Sequence, residues 1–206
     1  MNIGFIGAGK VGFSLGKYLT ERNVRVSGYY SRNPQSSREA ADFTNTRQYL
    51  NLRHLVEDSD VLFVAIPDSA IAQMWEQLKM LPIQNKIISH FSGALSSAVF
   101  SDIERYHAYG YSIHPLFAIN DKYESYKVIS QAFFTIEGDP KYLNWFYGFL
   151  RVLEIRWRLF QKRIRYVIMR QQLWPAIYML DWQICVSKCC GTAVFPLQMH
   201  IAHCHR

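Results

Sequence analysis

Over its first 150 residues the chain alternates between runs that suit strands and stretches that suit helices. Asn2–Ile6 is a short apolar run, and Phe13, Leu15, Gly16 and Leu19 follow it at helical spacing. Val24–Tyr30 is rich in strand formers and stops at Ser31-Arg32-Asn33-Pro34, after which 36–43 predicts a helix. Val61–Ile66 is apolar throughout and closes on Pro67-Asp68, the pattern of a strand buried on both faces of a parallel sheet. Ile71, Met74, Trp75 and Leu78 predict a helix over 69–80. Further strands are expected at 86–89, 111–114 and 132–136, and a helix at 141–150 after the turn Gly138-Asp139-Pro140. Strands alternating with helices imply an α/β fold with a doubly wound parallel sheet.

About half of the 206 residues are apolar, enough for one core with a small annex. The net charge of +7 changes the picture only through its location. Basic and acidic residues balance over 1–150, whereas Glu154 and Asp181 are the only acids after that point, among many Lys and Arg. A nucleic-acid role, which the total alone would suggest, is therefore not expected. All four cysteines (Cys185, Cys189, Cys190, Cys204) share that basic tail with His200, His203 and His205, in a spacing that matches no common zinc site, so no metal is expected. Leu173–Val186 is interrupted by Pro175 and Asp181 and is too short to span a bilayer; with no leader-like start, a cytoplasmic protein without membrane contact is expected.

The first chemical signal is Gly7-Ala8-Gly9-Lys10-Val11-Gly12, which stands directly after the first strand and opens the first helix. In that context a first glycine permits the tight turn, a second lets backbone approach a pyrophosphate, and a third lets helix pack on strand. The pattern predicts a Rossmann-type dinucleotide site, with phosphates on the free amides of the helix N-terminus. Sites for NAD place an acid at the end of the second strand; this chain has Ser31 and Arg32, which suit a 2′-phosphate and favour NADP over a reading of Arg32 as a solvated surface residue.

Three more segments fall where such a sheet opens its cleft, outside the carboxyl ends of the strands. They are Ile66-Pro67-Asp68, His90-Phe91-Ser92-Gly93 and His114-Pro115-Leu116. Asp68 suits either an N-cap or a place beside the nicotinamide. His90 and His114 could each donate to a carbonyl or carry a proton, or serve as hydrogen-bonded structural residues. Ser92 lacks base and acid partners at triad spacing and is not expected to be a nucleophile.

Taken together, residues 2–12, Tyr29-Tyr30-Ser31-Arg32, Ala65–Asp68, Ser89–Gly93 and Ser112–Leu116 resemble a bacterial group of Rossmann-like proteins that carry a C-terminal helical domain of unknown function. That group is similar to deazaflavin-dependent NADP oxidoreductases and to pyrroline-5-carboxylate reductase. The resemblance implies NADP binding by residues 7–12, 31–32, 66–68 and Ser92, with His90 and His114 on the side of a small-molecule substrate. It also implies a homodimer in intact members, whose helical domain closes the cleft.

The tail departs from this group. Members continue with a helical domain that opens on a pattern like RYHAAAVMASN, where this chain reads Arg165-Tyr166-Val167-Ile168-Met169 and onward. Reading the third base of each codon with the first two of the next forces Ala at Trp174/Pro175, Leu at Asp181/Trp182 and Ala at Trp182/Gln183, and permits the group's pattern around them. This phase corresponds to one nucleotide lost, or two gained, near codons 150–153, and it accounts for the unbalanced charge and the sudden cysteines. The expected organisation is a Rossmann-like NADP-binding domain over 1–152 and an out-of-frame tail over 153–206, with turnover impaired.

Overall fold

The computed structural model describes residues 1–159. They run β1 (Ile3–Ile6), α1 (Lys10–Thr20), β2 (Val26–Tyr30), α2 (Pro34–Thr44), β3 (Arg47–Tyr49), α3 (Leu52–Glu57), β4 (Val61–Val64), α4 (Asp68–Leu78), β5 (Ile87–His90), β6 (Tyr109–Leu116), β7 (Phe133–Gly138), α5 (Leu143–Val152) and β8 (Arg156–Leu159). Short 3-10 turns occur at Ser97–Val99, Ile103–Tyr106, Ser125–Gln131 and Pro140–Tyr142. The tail's cysteines, its histidines and the part of the expected out-of-frame tail beyond residue 159 lie outside the described residues. No described helix is long and apolar enough to cross a membrane.

The strands form one sheet in the order β3-β2-β1-β4-β5-β6-β7-β8. Side chains alternate across it, so the two halves of each apolar run serve different cores. Phe5, Val61, Phe63, Ile87 and Tyr111 point to the face covered by α1, α2 and α5. Ile6, Leu62, Val64 and Ile88 point to the face covered by α3 and α4. β4 is buried at all four positions because it sits between these layers. An aromatic ladder crosses the first face, with Phe5 stacked on Tyr29 at 5.1 Å and edge-on to Phe63 at 5.5 Å.

Two features depart from the expected all-parallel sheet ending at residue 152. β7 runs antiparallel to β6, with Ile113 opposite Ile136. The connection between these strands holds only a 3-10 turn, packed beside α1, in place of a crossover helix, so the chain returns directly along its neighbour. Beyond α5, β8 pairs in parallel with β7, and Leu153 and Ile155 are buried. Residues 153–159 thus complete the sheet. Leu153, Ile155, Trp157 and Leu159 alternate with polar residues, the two-residue period of an edge strand. Tyr18 on α1 ties this segment down by donating its hydroxyl to the Leu153 carbonyl at 2.6 Å.

Candidate functional site

Because β1, β2, β4, β5 and β6 are mutually parallel, the loops that follow them emerge at one edge of the sheet. The order reverses between β1 and β4, since β1 leads by sequence to β2 on one side and pairs with β4 on the other. Such a switch point leaves a crevice. Here it is a cleft of about 150 Å³, walled by Ile6–Gly9, Tyr30–Arg32, Ala65–Pro67 and one stripe of α4 formed by Ala70, Gln73, Met74 and Gln77.

The three glycines of the turn divide by what surrounds them. Gly7 has φ +102°, and a Cβ there would run into the Ala65 carbonyl. A Cβ on Gly12 would stand 2.8 Å from the Gly7 carbonyl oxygen and 2.9 Å from the Ala65 methyl, so Gly12 lets α1 approach β4. Gly9 is different: a Cβ there would meet no protein atom nearer than the Ala65 carbonyl oxygen at 4.0 Å. The fold's own packing leaves that space open. Gly9 is also the N-cap of α1, with no side-chain cap and no acid in the first turn. Helix α2, by contrast, is capped by Asn33, whose side chain accepts from the Gln35 amide at 3.0 Å. The first amides of α1 therefore face the cleft edge as an anion-binding end.

Ser31 and Arg32 line the same cleft. Arg38, Arg47, Arg53 and Arg105 each pair with a carboxylate, whereas Arg32 is exposed and makes no ion pair among the described residues. Gly7, Ala8, Gly9, Ser31, Arg32, Ile66 and Pro67 are thus brought together as anticipated from their spacing. Lys10, Val11 and Gly12 continue from the cleft into α1, with Lys10 exposed, Val11 packed on the core and Gly12 buried. Asp68 lies outside the walls, exposed in the first turn of α4; Pro67 holds the N-cap position, so the capping reading of Asp68 is corrected. Ser92 is buried just after β5, and its hydroxyl accepts from the amides of Ala94 and Leu95.

Both histidines are hydrogen-bonded to the backbone. His90 is fully buried, edge-on to Phe100. The Ser92 amide donates to its Nδ1 at 3.2 Å, which leaves Nε2–H to donate to the Ser96 carbonyl at 3.1 Å. These bonds fit the structural alternative for His90. His114 is half-buried; Nδ1 donates to the Phe91 carbonyl at 3.0 Å, and the ring lies where a Cβ of Gly93 would be. Sequence reasoning missed the α4 stripe and Glu137. This buried acid on β7 accepts from both the amide and the hydroxyl of Ser97. The i, i+3, i+4, i+7 spacing of Ala70, Gln73, Met74 and Gln77 could have revealed the stripe, whereas nothing local marks Glu137.

A Rossmann-like domain model matches residues 1–115. The chain belongs to the Rossmann-like domain family. No curated protein matches it in sequence. Among solved structures it is similar to a Bacteroides fragilis protein assigned as an NADP oxidoreductase, at 17% identity and a TM-score of 0.72, over 91% of this chain and 70% of that one. It is similar to an imine reductase variant of Myxococcus stipitatus in complex with NAD+, at 15% identity and a TM-score of 0.64, over 91% of this chain and 64% of that one. A reductive aminase of Aspergillus terreus, in complex with NADPH and ethyl-5-oxohexanoate, gives 12% identity and a TM-score of 0.64, over 88% and 62%. At these identities the likeness shows a shared fold. The chain spans less than two thirds of the length of the latter two.

Proposed function

We propose that this Rossmann-like domain binds NADP, and that the intact fold transfers hydride between the nicotinamide and a small imine or carbonyl substrate. The observation that carries the reading is the open space over Gly9 at the uncapped end of α1, with the unpaired Arg32 guanidinium at the other side of the same cleft. Phosphates suit the first, and a 2′-phosphate suits the second. The α4 stripe supplies a methyl, a thioether and two amides, a surface on which an adenine can lie and be hydrogen-bonded. When bound, the reduced coenzyme NADPH would supply the hydride and the oxidised form would accept it; this chain's residues bind the coenzyme, orient it and shape the edge beside Ile66 and Pro67.

For this chain the proposal is coenzyme binding with little turnover, on the ground that the codon phase over 153–206 allows a cleft-closing helical domain only in another frame. Coenzyme binding without catalysis is the second reading, favoured by the sealed position of His90. Titration calorimetry of the full chain with NADP+ and NAD+ tests the first claim. NADP+ is expected to bind more tightly, and Arg32→Ala is expected to remove about 1.5–3 kcal/mol of that preference, the range for a hydrogen bond to a charged group. NAD+ affinity should stay within about twofold, since Arg32 faces only the 2′ position. Equal affinity for both coenzymes in the unaltered chain would refute the NADP assignment. An NADPH-oxidation screen with imines and carbonyls, run on this chain and on one with the frame restored, separates the two readings.

A further inference from the structure

The segment between β5 and the turn at Ser97–Val99 is held in an unusual way. Its backbone groups are satisfied by side chains from three neighbouring strands. His90 on β5 takes the Ser92 amide and the Ser96 carbonyl, and Ser112 on β6 reaches the Leu95 carbonyl at 3.4 Å. His114 on β6 takes the Phe91 carbonyl and fills the space beside Gly93. Glu137, only 2% exposed on β7, takes the Ser97 amide at 2.9 Å and its hydroxyl at 2.5 Å. A buried carboxyl group is costly to desolvate, and hydrogen bonds from the amide and hydroxyl of Ser97 offset part of that cost while tying down the loop. The crest of the held segment, Gly93–Leu95, stays at least partly open at the same sheet edge as Gly9 and Ile66.

We infer that Glu137 and His90 are positioning residues: from beneath the sheet edge they fix residues 91–97 as a rigid ledge for the nicotinamide half of the coenzyme and the substrate beside it. The inference rests on the coenzyme reading above for the identity of what the ledge receives. It assigns Glu137 no contact with that ligand. The ledge is preorganised, so its backbone need not be ordered when the ligand arrives.

Amide hydrogen exchange of the full chain, read by mass spectrometry over peptides spanning 91–99, 7–12 and 31–33, tests this. Glu137→Ala is expected to speed exchange in 91–99 by about tenfold or more, as loss of a charge-assisted bond implies. Peptides 7–12 and 31–33 should be unchanged. Glu137→Gln, which keeps an acceptor for the Ser97 amide, should stay within about twofold of the parent. Should Glu137→Ala fail to fold, Ser97→Ala, which deletes only the hydroxyl bond, is expected to loosen the same peptide alone. Faster exchange spread equally over all three peptides, or none in 91–99, overturns the positioning role. In the parent, NADP+ should protect 91–99 and 7–12, whereas 2′,5′-ADP should protect only 7–12 and 31–33. Binding of both nucleotides without protection of 91–99 overturns the ledge alone; binding of neither overturns the coenzyme reading, and the ledge as a coenzyme seat falls with it.

Discussion

Replacing Gly9 and Gly12 separately by alanine should split ligand binding from folding. At Gly9 the backbone has φ −75° and ψ −178°, which alanine adopts freely. Lower entropy of the unfolded chain favours the substitution by about 0.4–1 kcal/mol. The poorer N-cap offsets this by a comparable amount, roughly 0.5–1 kcal/mol. With no protein atom within 4.0 Å of the new methyl beyond that one carbonyl, no packing cost is added. Net stability should therefore stay within about 0.5 kcal/mol of the parent. At Gly12 the methyl meets the Gly7 carbonyl at 2.8 Å and the Ala65 side chain at 2.9 Å, both fixed by the turn and the neighbouring strand. Overpacking of this kind costs about 1–3 kcal/mol. At roughly 2–4 °C per kcal/mol for a domain of this size, thermal melting should drop by several degrees in Gly12→Ala and hardly move in Gly9→Ala. Calorimetry with NADP+ should then show at least about a tenfold loss in Gly9→Ala, equal to about 1.4 kcal/mol, because the methyl occupies the approach of the phosphates. A folded Gly9→Ala variant that binds NADP+ within twofold of the parent would refute the phosphate assignment, and an undiminished melting temperature in Gly12→Ala would refute the packing account.

Two further outcomes follow from other parts of the sheet. Tyr18→Phe should destabilise the chain by about 1–3 kcal/mol in urea unfolding, because the buried Leu153 carbonyl loses its donor; no change would detach 153–159 from the domain. Hydrogen bonds from Lys122 and Tyr123 hold the Glu39 carboxyl below the usual carboxylate range. Its folded value is lowered, so its contribution to stability is present above the unfolded value and is lost as pH falls through the lowered one. Acid melts should show this loss only below about pH 4.3, and Glu39→Gln should flatten that limb.

What could be read in the chain was the part built from long or tightly spaced signals. The apolar run at 61–66 and the glycine turn at 7–12 located the central strand and the start of the first helix, because burial on both faces and φ > 0 leave few residue choices. β3 was missed: Arg47 is exposed, Gln48 half-buried and only Tyr49 buried, so three residues at an edge carry almost no pattern. Its borders were legible all the same, in Asn45 at φ 53° closing α2 and Asn51 capping α3. β8 was passed over although its alternation is clean, because the residues from 153 onward were read as out of frame. Glu137 could not be found locally, since Ser97, which makes it intelligible, is 40 residues away and meets it only through tertiary pairing. The same holds for His90, whose burial against Phe100 is likewise set by tertiary packing.

The uncapped start of α1 has a consequence for how long the protein survives. A solute that occupies those amides binds the folded chain and not the unfolded one, so its concentration feeds into the folding equilibrium. At a hundred times its dissociation constant it would add about 2.7 kcal/mol, enough to lower the unfolded fraction by nearly a hundredfold. Proteases that sample unfolded chains would then read the coenzyme pool through this one helix end, and abundance in the cell would follow nucleotide supply.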